Sequence, residues 1–116
     1  MGAPVVHFEI AVKDGDKGRK FYSKVFDWNI NVVDGMNYGM VDPDEGGISG
    51  GIMQAEEGKF PPYVTLYMLV DDIQKYLDRA VALGAHTIAP PTEIPGMGWY
   101  GLFKDPDGNL IGLWQK

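Results

Sequence analysis

His7 and Glu9 are the two side chains of this sequence best placed for acid–base work. They lie two residues apart in VVHFEIAV, where period-two alternation sets His7, Glu9 and Ala11 on one face of a strand and Phe8, Ile10 and Val12 on the other. At the rise of a strand their Cα atoms stand roughly 6.5–7 Å apart. An imidazole and a carboxylate so placed suit a general base and a general acid. Each also has a plainer reading. His7 serves equally as an inward histidine held by hydrogen bonds, and Glu9 as a structural carboxylate or one paired with Arg19 or Lys104. His86 follows a helix stop and reads as a surface residue. GISGG around Ser49 has the letters of a nucleophile motif, but a nucleophile elbow requires a strand feeding a helix. Here the segment enters a strand, with only His7 and His86 able to serve Ser49, so that chemistry is set aside. The chain has no cysteine, which excludes thiolate and disulfide chemistry and makes a reducing cytoplasm the simplest home.

The elements that position these residues come twice. GMNYGMVDPDEGG and GMGWYGLFKDPDGN read alike, and HFEIAVKD matches TLYMLVDD with His7 and Thr65 58 positions apart. Such internal repetition makes one module written twice. Each copy reads β-α-β-β-β, an α+β class. The first helix is expected over about Lys17 to Phe26, with Asp16 as N-cap and Phe21, Tyr22, Val25 and Phe26 turned inward. The second opens at Asp71 or Asp72, places Ile73, Tyr76, Leu77 and Ala80 on one face, and stops at Gly84. Strands are expected over Asn29–Val33, Asn37–Val41, Ile48–Met53, Val64–Val70, His86–Ala89, Trp99–Phe103 and Leu110–Gln115. PPTEIPGMG reads as a loop long enough to hang over a cavity. The prolines of EEGKFPP make a stiff, extended connector. A single domain over residues 1–116 results, with module one at about 1–55, a linker at 56–62 and module two at about 63–116. The repeated Asp-Pro-Asp stretches read as turns that fold the third strand of each copy into the fourth.

Composition bounds the partners. The 45% hydrophobic and 22% charged residues are ordinary for a globular protein. Ten Lys and Arg against sixteen Asp and Glu leave a net charge of −6, which disfavours nucleic acid. No apolar run approaches the roughly 20 residues of a membrane span. The N-terminus lacks the pattern of a signal peptide.

With His7, FYSKVFDW, LVDDI and DPDGNLIGLW in view, the chain resembles the vicinal oxygen chelate superfamily of glyoxalases, extradiol dioxygenases and fosfomycin- and bleomycin-resistance proteins. The resemblance implies two modules forming a curved, incompletely closed mixed sheet around a cavity, with helices outside. Members that do metal chemistry hold a divalent ion with His or Glu on the first and last strand of each module. Those positions fall here on His7, Gly51 (Gly50 if the register slips by one), Thr65 and Gly112. Glycine offers no ligand and threonine a weak one, so the resemblance carries the fold over and no metal is expected. The glycines either widen the cavity floor or mark a bulge or close approach of chains.

Alternation lines the implied cavity with Thr65, Tyr67 and Leu69 from module two's first strand and Met53, Leu110 and Trp114 from the last strands. Tyr38, Trp99 and Tyr100 join from the neighbouring strands, with the inward member of each pair left open. Such walls suit a small hydrophobic or aromatic ligand. The leading reading is a metal-free binding protein, a homodimer by the same resemblance. The alternative is a lyase, isomerase or dioxygenase, either using a divalent metal through unusual ligands or using His7 and Glu9 as acid and base. A structural or regulatory partner domain is a third reading, which no exposed-looking apolar helix supports.

Overall fold

The computed structural model describes residues 2–43 and 45–116. Both copies of the β-α-β-β-β module are present. The first consists of β1 (Val5–Val12), α1 (Gly15–Phe26), β2 (Ile30–Val32), β3 (Tyr38–Val41) and β4 (Ser49–Gln54). The second consists of β5 (Tyr63–Leu69), α2 (Ile73–Ala82), β6 (His86–Ile94), β7 (Gly98–Lys104) and β8 (Leu110–Gln115). The chain gathers into two compact units, His7–Val64 and Thr65–Lys116 together with the N-terminal residues up to Val6. Among the described residues no helix is long and apolar enough to cross a membrane.

Module one pairs its strands in the order β2-β3-β4-β1, with β1 parallel to β4 and the other pairs antiparallel. The register sets His7 opposite Ser49, Glu9 opposite Gly51, Met40 opposite Gly51 and Tyr38 opposite Met53. Because directly paired residues point to the same side of a sheet, these seven residues share one face. The other face carries α1.

That helix approaches closely because it presents glycine and a long stem, not its aromatics. A Cβ on Gly18 would stand 2.5 Å from Cγ2 of Val12, and one on Gly39 would stand 2.4 Å from Cδ of Arg19. Arg19 lies buried along the sheet with its aliphatic stem over Gly39. Its guanidinium donates to the Ile52 carbonyl and pairs with Asp16 at 2.8 Å. The inward aromatic face expected for α1 is therefore corrected. Phe21, Val25 and Phe26 are 58%, 52% and 54% exposed, so this helix does carry an apolar outer face. The cap also moves: Asp14, not Asp16, accepts from the Lys17 N–H, which frees Asp16 for Arg19.

Module two repeats the plan as β5-β8-β7-β6, with β5 parallel to β8. Its core is Val70, Ile73, Leu77 and Leu113, flanked by Met68, Tyr76 and Phe103, so the apolar face expected of α2 meets the sheet. Strand β6 runs on through Pro90 and Pro91 to Ile94, where a loop was expected. Both prolines are tolerated because β6 is an edge strand whose pairing with β7 shifts register twice across this stretch. The connector contains a turn at Glu57–Lys59 with Gly58 at φ +84° before the prolines, so it is not extended throughout.

The duplication reaches the helix starts. Asp14 and Asp72 cap in the same way. The Gly15 N–H donates to Oε1 of Gln54, and the Ile73 N–H to Oε1 of Gln115, each at 3.0 Å. A glutamine at the end of each module's last strand thus satisfies one of the donors a helix leaves open at its N-terminus. The acidic turns diverge. Asp105 accepts from the N–H of Asp107 and from the backbone and side-chain N–H of Asn109, and the bonds from Asn109 hold its carboxyl below the usual range. Asp42 in the first copy instead accepts from the side-chain amides of Asn29 and Asn31; Asp44 lies outside the described residues.

Candidate functional site

On the helix-free face of module one, side chains from four strands converge. His7 Nδ1 lies 2.8 Å from Ser49 Oγ, and His7 Nε2 lies 2.9 Å from the Tyr38 hydroxyl. Tyr38 donates to Glu9 Oε2 at 3.0 Å, and Tyr63 donates to Glu9 Oε1. Met53 closes one side, with its sulfur 3.6 Å from the Tyr63 oxygen. Glu9 is 6% exposed, while His7, Tyr38, Ser49 and Tyr63 are half-buried.

Valence fixes where the protons sit. A carboxylate only accepts, so the single proton of Tyr38 goes to Glu9 and the phenol oxygen must accept from His7 Nε2–H. A neutral imidazole then accepts at Nδ1, and Ser49 supplies that proton. The chain runs one way, Ser49 to His7 to Tyr38 to Glu9, with Tyr63 joining at the far oxygen. Burial pushes the His7 imidazole below its ordinary value of 6.5, in keeping with the neutral form. Burial first, then the charge and hydrogen bond of Glu9 and the nearby Tyr63, push the Tyr38 phenol far above its ordinary range.

His7, Glu9, Tyr38 and Met53 come together here. Arg19 lies on the opposite, helix-bearing face with Asp16, so Glu9 is held by phenols and not by that guanidinium. In module two, Tyr67 and Gly112 are directly paired, as are Leu69 and Trp114, and Tyr100 faces Trp114. Leu110 lies on that same face, and its carbonyl accepts the Thr65 hydroxyl. Trp99 pairs with Gln115 and so points to the α2 side, apart from Tyr100. His86 opens the exposed edge strand β6. Ser49 and Tyr63 were missed as site residues. Alternation could have found both: Ser49 is two residues before Gly51 on β4, and Tyr63 two before Thr65 on β5.

Each module can be tested separately as half of a metal site. In module one, the space above Gly51 is filled, since a Cβ there would stand 1.8 Å from the Tyr38 hydroxyl oxygen. Of the two donor side chains there, His7 is bonded at both nitrogens, to Ser49 and Tyr38, and both Glu9 oxygens accept phenol protons. In module two, a Cβ on Gly112 would stand 2.5 Å from the Tyr67 ring, and the Thr65 proton is committed to Leu110. The donor sets do not fit a divalent metal in either half. Among the described residues no three His, Cys, Asp or Glu side chains group to hold a metal ion. The tyrosine rings also correct the idea that the two glycines widen a cavity floor.

An open cleft of about 640 Å³ lies elsewhere in module one, along the connector, between Lys13, Ala55, Lys59, Phe60 and Pro61. None of the residues expected to wall a cavity lines it, and Lys59 there pairs with Glu56. The converging network on the sheet face is the stronger candidate, because its polar groups are mutually oriented.

Comparison with known proteins agrees with this architecture. The model of the Glyoxalase/Bleomycin resistance protein/Dioxygenase superfamily matches residues 5–113. CFP32 of Mycobacterium tuberculosis, named as a candidate glyoxylase, is 29% identical over 114 residues, covering 92% of this chain and 43% of that protein. The anthracycline biosynthesis protein DnrV of Streptomyces peucetius is 25% identical over 138 residues, covering 99% of this chain and 47% of DnrV. The chain thus spans less than half the length of these relatives. Among solved structures, methylmalonyl-CoA epimerase from Mycobacterium tuberculosis superposes with a TM-score of 0.68 at 17% identity, over 96% of this chain and 86% of that one. The Mn(II)-bound glyoxalase from Novosphingobium aromaticivorans gives 0.61 at 22% identity, over 97% of this chain and 38% of that one. At such identities the likeness is one of fold.

Proposed function

From its place in the Glyoxalase/Bleomycin resistance protein/Dioxygenase superfamily, to which this chain belongs, we propose that the protein binds a small hydrophobic or aromatic molecule without using a metal. The observation that carries this reading is the Tyr38 ring in the space a ligand side chain at position 51 would occupy. The hydrogen-bonded network supports binding over turnover. Both Glu9 oxygens hold phenol protons, the Tyr38 phenol is a weaker acid than free tyrosine, and the His7 imidazole a weaker base than free histidine. Groups so engaged give a fixed polar surface beside Met53 and Tyr63, which suits orientation of a ligand.

Incubation with Zn²⁺, Mn²⁺, Ni²⁺ and Fe²⁺ in turn, followed by desalting and elemental analysis, tests the reading. Retention below about 0.1 equivalent is expected; stoichiometric retention that depends on His7 overturns it. A bound aromatic compound should raise the melting temperature by mass action.

The same network favours one second reading, a metal-free lyase or isomerase with His7 and Glu9 as acid and base, since the two are joined through a single phenol. That reading gains the upper hand if His7→Ala and Glu9→Gln abolish a measured turnover while ligand binding persists.

A further inference from the structure

Charge is unevenly spread along this chain. Residues 13–24 hold five of its ten basic side chains and two of its sixteen acidic ones, a local charge of +3, so with a total of −6 the remainder carries −9. Arg19 is buried and paired with Asp16. Lys13, Lys17, Lys20 and Lys24 are exposed, and the salt bridges among the described residues include none of the four. Lys17, Lys20 and Lys24 follow the i, i+3, i+7 spacing of one helix face. Phe21 and Val25, both more than half exposed, stand four apart and form the adjoining stripe. Phe21 is held from behind: half-buried Tyr22 meets its ring edge-on at 5.1 Å and stacks in turn on Trp28 at 6.0 Å. An apolar surface fixed in this way loses little freedom when it is covered.

We propose that the outer face of α1 docks an acidic amphipathic helix of another protein, its apolar side chains on Phe21 and Val25 and its carboxylates on Lys17, Lys20 and Lys24. The surface lies across the sheet from the His7–Glu9 network and is independent of the ligand-binding reading above. Both stripes repeat at helical spacing over roughly 12 Å from Lys17 to Val25, so a segment that matches both has helical spacing itself. Burial of the apolar stripe supplies the affinity, while the lysines choose the sign of the partner and its orientation. A twofold pairing of α1 with that of a second copy would set lysine against lysine. A broad anionic surface such as a lipid bilayer would also meet Asp14 and Asp27, exposed at the two ends of the helix, and the negative charge beyond them. A narrow acidic helix meets the lysine stripe alone.

The test uses a synthetic helix of about four turns, with one leucine stripe flanked by glutamates. Two controls accompany it, one with lysine for glutamate and one with serine for leucine. Each is titrated into the intact chain at low salt and followed by amide chemical shifts. The first peptide is expected to bind at least about tenfold more tightly than either control, with shifts centred on α1. Lys20→Glu/Lys24→Glu and, separately, Phe21→Ser/Val25→Ser should each weaken it about tenfold or more. All four side chains are exposed, and circular dichroism checks that the fold is kept. Absence of binding overturns the proposal, as does equal binding of either control or an affinity that either double variant leaves unchanged. Vesicles of phosphatidylcholine and phosphatidylserine in equal parts are the fourth probe. Binding to them in preference to the peptide overturns the proposal and gives the face to lipid. Shifts on α1 that follow protein concentration without peptide overturn it in favour of a second copy. The ligand-binding reading stands whichever result is found.

Discussion

The phenol of Tyr38 and the missing side chain of Gly51 occupy one space: a Cβ at position 51 would stand 1.8 Å from the hydroxyl oxygen and 2.0 Å from Cζ. The tip of a tyrosine can swing away, but here its oxygen is bonded to His7 and Glu9, so movement costs two hydrogen bonds. Gly51→Ala is therefore expected to destabilise by about 1–3 kcal/mol, the range for overpacking, and to release His7. Gly112→Ala should cost at least as much, because the atoms it meets are Cδ2, Cε2 and Cγ of Tyr67, close to the backbone and unable to swing. Urea unfolding of the two variants checks the order, and recovery in Gly51→Ala/Tyr38→Ala would tie the first cost to the phenol.

Acid should weaken the fold through His7. Its folded-state pKa is depressed by burial below the ordinary 6.5, so between those two values the unfolded chain binds more protons than the folded one. Stability then rises with pH up to about 6.5 and owes nothing further to this group above it, with a slope of at most about 1.4 kcal/mol per pH unit. A His7→Gln variant should show a flatter profile across that window in denaturation midpoints measured from pH 5 to 8; an unchanged profile would mean His7 does not carry the dependence.

Much of this fold was open to sequence reading because repetition tests itself. The strand faces of His7, Glu9 and Ala11 follow from period two alone, and Asp72 reads as a helix start, although its counterpart Asp14 was passed over for Asp16. Other features depend on packing that spacing does not encode. Phe21, Val25 and Phe26 have the pattern of a buried face, yet the helix sits down on Gly18 and the stem of Arg19. Pro90 and Pro91 signal a loop anywhere but on an edge strand that can bulge. At the site, the sequence shows that positions 51 and 112 are glycine, whereas the tyrosines filling both spaces were not legible, since Tyr38 and Gly51 are brought together only by the β3–β4 register.

The approach of α1 to its sheet gives a case where two effects oppose. Alanine at position 18 would gain about 1 kcal/mol of helix propensity over glycine. Its Cβ would stand 2.5, 2.9 and 3.0 Å from Cγ2, Cβ and Cγ1 of Val12, and since the Val12 Cβ is itself that close, a change of its restricted rotamer does not clear the contact. Overpacking of roughly 1–3 kcal/mol should win, so Gly18→Ala is expected to be destabilising. Val12→Ala should make the same substitution neutral or favourable, which a double-mutant cycle in urea would reveal.

The matched glutamines offer a comparison internal to the molecule. Gln54 accepts the N–H of Gly15 and Gln115 that of Ile73, at the same distance, and both donors belong to buried residues. Truncation of either glutamine to alanine leaves a buried helix donor without this acceptor and should cost about 1–3 kcal/mol. Replacement by glutamate keeps an acceptor of equal reach and sets a negative charge at the helix start, where it is favourable by about 0.3–1 kcal/mol. Gln54→Glu and Gln115→Glu should therefore stay within about 1 kcal/mol of the parent at neutral pH and lose stability as the new carboxylate is protonated below about pH 4.3. If the alanine variants prove neutral by urea denaturation, the shared bond is an incidental contact and the capping role is wrong for both modules.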